Sequence, residues 1–233
     1  IPLFVCLSGL LTAFHPTVFS AFSRVQFDLG DTRFNNYVLE HSYRWLSGVY
    51  GSSSFWQMPI FYPASNTAAY SDVLLSVAPF YWIFRQLGFQ ADTSFQLWMM
   101  LICVLNFLLC YQLLRRLFQV RVFSASAGAF LFSFGSSRVI QICHQQLLGQ
   151  FYLLLAFFAI GRVFGMGGEC PKWEKRLWIL CFGVCCALQV WAAFYLIWFF
   201  VLILGIAFLW ALGFKSSRAG ITALLKGEIF WLA

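Results

Sequence analysis

Long apolar runs separated by short polar joints make up most of this chain. A helix needs about 20 residues to cross the hydrocarbon of a bilayer, and the pattern predicts spans over 1–22, 95–114, 122–134, 147–164, 177–189 and 194–212. Another apolar segment, 73–88 or 68–88, is broken by Pro79 and barely reaches that length, so it either crosses or re-enters. His15-Pro16 predicts a kink near the end of the first run, since proline cannot donate to the helix ladder. The expected fold is all-α, a polytopic transmembrane helical bundle of about 6–7 spans in a single domain, 1–233. With no Met at position 1 and a new apolar run opening at Phe230, the sequence reads as an internal piece of a longer protein.

Composition agrees with the pattern. The chain is 61% hydrophobic and 10% charged, which excludes an ordinary soluble domain. The first run lacks a basic leader and exceeds the roughly 7–15 apolar residues of a signal peptide, so it reads as a span. Six of the eight cysteines (Cys6, Cys103, Cys110, Cys181, Cys185 and Cys186) fall inside apolar runs and read as small hydrophobes. Cys143 and Cys170 lack the paired spacing of a zinc site, so no metal site is assigned. The net charge of +7 does not point to nucleic acid, because the basic residues stand at the ends of apolar runs. They group the joints at 115–121, 162–176 and 215–226 on the cytoplasmic side, with 136–146 and 189–195 opposite, against membrane lipids as the expected partner. Seating the 24–72 loop on that opposite, external side requires 73–88 to re-enter, or the first run not to cross simply.

That loop is the exception to the apolar rule. It carries Asp28, Asp31, Glu40 and Asp72, half of the eight acidic residues, with His41 and three arginines. Charge concentrated on one loop of a membrane protein marks a candidate site. Residues 32–47 are expected to form a helix lying in the interface, with Phe34, Val38, His41 and Trp45 on one side and Arg33, Asn36, Glu40 and Arg44 on another. Two readings of Asp31 stand: an N-cap for that helix, or a carboxylate that takes a proton from a hydroxyl or holds a divalent cation, the one cofactor these residues suggest. Asp28 has no cap role. Pro59 and Pro63 exclude a continuous helix over 55–72, where Trp56, Phe61, Tyr62 and Tyr70 suit the interface and Asn66, Thr67, Ser71 and Asp72 the polar side. Aromatic and hydroxyl groups together also make a sugar-binding surface.

A first span, an external loop opening on Phe27-Asp28-Leu29-Gly30-Asp31, a juxtamembrane helix and a return through Pro59 and Pro63 resemble the GT-C superfamily of membrane glycosyltransferases. The resemblance implies a sugar donor carried on a polyprenyl phosphate or diphosphate, and a catalytic aspartate at Asp31, with Asp28 second. SSRVIQICHQQLLGQ, residues 136–150, resembles the second external loop of the family, where Arg138 and His144 match the positions directed at donor phosphate or metal. No acidic residue occurs between 136 and 150, a departure that favours a metal-independent mechanism. Glu40 and His41 are expected to support the site, with Tyr62 and Asp72 beside the substrate. The implied location is multi-pass in the plasma membrane, or the inner membrane of a bacterial envelope. Two other readings remain: a transporter or lipid-handling protein, which scarce mid-span charge and no visible repeat disfavour, and a non-catalytic assembly subunit.

Overall fold

The computed structural model describes residues 1–25, 30–215 and 217–222; Asp28 lies outside them. Among the described residues the regular structure is helical: α1 (Pro2–Ala13), α2 (His15–Phe19), α3 (Asp31–Leu46), α4 (Ala78–Gln86), α5 (Ala91–Arg116), α6 (Val122–Phe134), α7 (Ser136–Gln141), α8 (Phe151–Val163), α9 (Lys172–Ala192) and α10 (Phe194–Ala211). The break expected at Pro16 lies at Phe14, between α1 and α2. Pro16 sits in the first turn of α2, where its missing N–H costs no ladder bond. Among the described residues four helical stretches are long and apolar enough to cross a membrane: Ala91–Arg116, Gln145–Val163, Lys172–Ala192 and Phe194–Ala211. The remaining apolar helices fall short, α1 at 12 residues and α6 at 13.

The bundle has two chemically distinct ends. At one, Arg115 donates to the Val120 carbonyl, Arg162 pairs with Glu174 at 3.0 Å, and Gly167 lies so close to the Arg116 carbonyl that a Cβ would sit 2.3 Å from its oxygen. The basic joints at 115–121 and 162–176 therefore share a side, as expected; part of the third, 215–226, lies outside the described residues. At the other end, the Phe194 N–H donates to Asp72 at 2.9 Å and the Gln189 side chain to the Gly149 carbonyl at 3.1 Å. Asn36 of α3 donates to Asp92 in the first turn of α5 at 2.8 Å. The 30–77 region thus covers the end opposite the basic joints.

Helix α4 decides how the chain gets there. Its nine residues extend about 14 Å, less than half of a hydrocarbon core of roughly 30 Å. Ser76, just before it, donates to the Leu188 carbonyl near the end of α9, while Arg85 in its last turn reaches Glu40 of α3. Both flanks are held at the same end of the bundle, so 73–88 re-enters rather than crosses. This removes the parity conflict in the sequence.

The tie between α3 and α4 is a buried carboxylate. Glu40 is 8% exposed, and it accepts from Arg44 at 2.9 Å, from Arg85 at 2.9 and 3.2 Å and from the Tyr81 hydroxyl at 2.7 Å. Burial alone would raise its pKa, but the bonds from Tyr81, Arg44 and Arg85 outweigh that and hold it below the usual range. Trp82 adds a bond to the Ser42 hydroxyl at 2.9 Å. Instead of facing headgroups, Glu40 is packed with Val38, Leu39 and His41 against the bundle. Helix α3 is packed as a cover on the bundle, with Glu40 on its inner face instead of the outer one.

Re-entry of α4 is tested by single cysteines in place of Gln57, before it, and Leu87, after it, in sealed vesicles. Both are expected to react with a membrane-impermeant thiol reagent from the same side; reaction from opposite sides would mean that α4 crosses.

Candidate functional site

Three buried polar side chains fasten the start of α3 to a turn more than a hundred residues away. Asn35 donates to the side-chain oxygen Oε1 of Gln145 at 2.9 Å and to Oε1 of Gln146 at 2.8 Å. Gln145 donates in turn to the Thr32 hydroxyl and the Ile142 carbonyl, both at 2.6 Å. Thr32, Asn35 and Gln145 are all under 5% exposed, so each bond forms in a site of low dielectric where losing a partner is costly.

This clamp sets the residues beside it. Asp31 precedes Thr32 and His144 precedes Gln145, and their side chains meet with His144 Nδ1 at 2.6 Å from Asp31 Oδ2. Gln146 Nε2 approaches the same oxygen at 3.4 Å. The contact is open: the Asp31 side chain is 45% exposed and that of His144 52%. The bond from His144, chiefly, holds the Asp31 carboxyl below the usual range against a smaller opposing effect of burial. Ionised Asp31 is an acceptor, so Nδ1 of His144 carries the hydrogen of this bond. Asp31 Oδ1 and His144 Nε2 make no other hydrogen bond among the described residues. A carboxylate with one oxygen anchored and one open is arranged to receive a proton from a third group.

The capping reading of Asp31 does not hold. The N-cap of α3 is Gly30, Asp31 is the first helical residue, and no side-chain cap bond forms. Its charge still lies in the first turn, where the helix dipole favours it.

The other candidate residues are dispersed. Arg138, on α7, donates to the Phe132 carbonyl at 2.9 Å and to the Gln150 side chain, with its guanidinium 4.9 Å from the Phe132 ring centre. The Gln150 backbone N–H donates to Asn106, whose side chain donates to the Leu148 carbonyl, so Asn106 ties α5 to the start of α8. Glu40 is occupied by Arg44, Arg85 and Tyr81. His41 is buried, its Nε2 2.8 Å from the Phe55 carbonyl and its ring between those of Tyr50 and Phe55. Asp72 caps the start of α10, and partial burial raises its pKa against the bond from Phe194. Tyr62 is 97% exposed on the covering loop. Asp28 lies outside the described residues.

Asn35, Thr32, Gln145 and Gln146 carry the geometry without having been candidates. A visible sign of them was the polar run His144-Gln145-Gln146 between apolar segments. For a divalent cation, Asp31 and His144 supply two donors, and among the described residues no group of three or more His, Cys, Asp or Glu could hold a metal. A hard cation takes six or more oxygens, so this donor set does not fit one and no step is derived through it. No family model, curated protein or solved structure matches the chain.

Two outcomes follow from this geometry. Replacing His144 with alanine is expected to raise the Asp31 pKa toward the ordinary value near 3.9, read by carboxyl-carbon NMR. Because its native pKa is depressed, the stability that Asp31 gains from His144 is present above the unfolded-state pKa and lost as pH falls through the native one. The variant loses that portion of the acid dependence. Gln145→Ala, which removes one bond from Asn35 and one from Thr32, is expected to lower unfolding stability in detergent by about 1–3 kcal/mol, while Gln57→Ala on the exposed loop leaves it nearly unchanged.

Proposed function

We propose that the protein is a membrane glycosyltransferase of the GT-C type, moving a sugar from a polyprenyl-phosphate-linked donor to an acceptor hydroxyl on the external face of a membrane. The observation that carries this reading is the Asp31–His144 contact, which joins the two loops whose sequences resemble that family. The positive-inside rule supports the sidedness, since the basic joints at 115–121 and 162–176 gather at the end opposite this contact.

In this mechanism the acceptor hydroxyl donates to Asp31 Oδ1 and loses its proton there as its oxygen attacks the anomeric carbon. The bond from that carbon to the lipid phosphate breaks, its electron pair leaving with the phosphate, and the configuration inverts. His144 and Gln146 hold the other carboxylate oxygen, so the base keeps one orientation through the transfer. The depressed pKa keeps Asp31 ionised at neutral pH, the form a general base needs. Arg138 stabilises charge on the departing phosphate, for which its planar fork is suited. Glu40 and His41 act at a distance, by holding α3 in place.

Asp31→Asn is expected to reduce sugar transfer in membranes by at least about a hundredfold, the scale of a lost general base, while thermal unfolding stays near that of the parent. Transfer at the parental rate in a folded Asp31→Asn protein would remove Asp31 from this role.

A further inference from the structure

At the far end of α3 from Asp31, a groove of about 530 Å³ is walled by Trp45, Trp56, Phe55 and Leu75 and edged by Ser52 and Ser53. Phe55 is its keel. The ring is 8% exposed, lies 5.6 Å from that of His41, and its carbonyl meets His41 Nε2 at 2.8 Å. Two indoles stand edge-on to it, Trp45 at 5.5 Å and 70° and Trp56 at 5.3 Å and 75°. Trp56 is braced further by Trp191 at 6.1 Å, near the end of α9. The aromatic walls are therefore positioned by their contacts with buried Phe55 before any ligand arrives.

The lining narrows the chemistry of that ligand. It contains no charged side chain, so it does not select a phosphate or a carboxylate. The hydroxyls of Ser52 and Ser53 make no hydrogen bond to the protein among the described residues, while the Ser54 hydroxyl accepts from the backbone N–H of Trp56 at 3.3 Å. A lipid tail here would lay hydrocarbon against free hydroxyls, which is unfavourable. A sugar ring suits both parts, with C–H faces for the indoles and hydroxyls for the serines, in the usual pattern of apolar walls with a few polar groups.

We propose that this groove is a binding subsite for a neutral saccharide, holding the part of a glycan acceptor remote from the reacting hydroxyl. The proposal rests on the glycosyl-transfer reading of Asp31. Fourteen helical positions separate Asp31 from Trp45, about 21 Å along the axis, so one sugar cannot touch both ends. The acceptor is therefore an extended chain, gripped at one end and presented at the other.

The test uses the protein in nanodiscs with 5-fluorotryptophan in place of tryptophan, the Trp45 and Trp56 resonances being assigned from Trp45→Phe and Trp56→Phe. Soluble oligomers of glucose, mannose and N-acetylglucosamine serve as probes. At least one is expected to shift those two resonances saturably, in the parent and in Asp31→Asn alike, and Ser53→Ala is expected to weaken that titration at least about threefold. No shift with any probe, or strong broadening of both resonances by acyl-chain spin-labelled lipid, would overturn the proposal by making the indoles membrane anchors. The Asp31→Asn arm keeps the two ideas separable. Binding that persists there while transfer fails supports the groove and the chemistry together. Sugar transfer with an unchanged acceptor KM in Trp45→Ala would discard the groove and leave the role of Asp31 standing.

Discussion

A carboxylate taken out of water into an apolar bundle must be fully paired, and the pairing of Glu40 dictates where α3 and α4 lie. One oxygen accepts from Tyr81 and Arg85, the other from Arg44 and Arg85, so α3 and α4 meet at a single group. Such a cluster adds little net stability over a well-packed apolar one, yet removing the carboxylate would leave the Arg85 guanidinium and the Tyr81 hydroxyl without their common acceptor. Its consequence is geometric. With Arg85 bound to α3, α4 cannot cross the membrane, and the loop before α4 and the start of α5 share one end of the bundle.

That placement is what lets Asp31 meet His144. The clamp of Thr32, Asn35 and Gln145 supplies rigidity, because its atoms are buried and the bonds run between segments far apart in sequence. The pair beside it is half-exposed and draws its precision from those neighbours. Buried polar groups thus hold the scaffold, while the groups with spare hydrogen-bonding capacity stay open to solvent, the division expected where a rigid frame presents reactive side chains.

Much of this was legible in the chain. Apolar runs gave the all-helical bundle, Pro16 gave the break between α1 and α2, and the arginines and lysines at run ends gave the two faces. Asp31 and His144 stood out because ionisable residues are scarce in such a sequence. What periodicity could not reveal was the inside of α3. Glu40 lies on a polar stripe with Arg33 and Arg44 and reads as exposed; only the partners from α4, forty residues on, make its burial tolerable. Asp31 likewise reads as a cap, since spacing cannot distinguish the residue before a helix from the first residue within it. Asn35 and Gln145 were silent for the same reason: their meaning lies in a contact across 110 positions.

The account stands on the meeting of the two loops. The most direct measurement is cross-linking of Asp31→Cys with His144→Cys in a chain otherwise free of cysteine, using a short bifunctional thiol reagent in native membranes. The geometry predicts rapid, near-complete linkage of this pair and none between Asp31→Cys and Arg116→Cys at the basic end. Linkage of the first pair no faster than that of the second would contradict it.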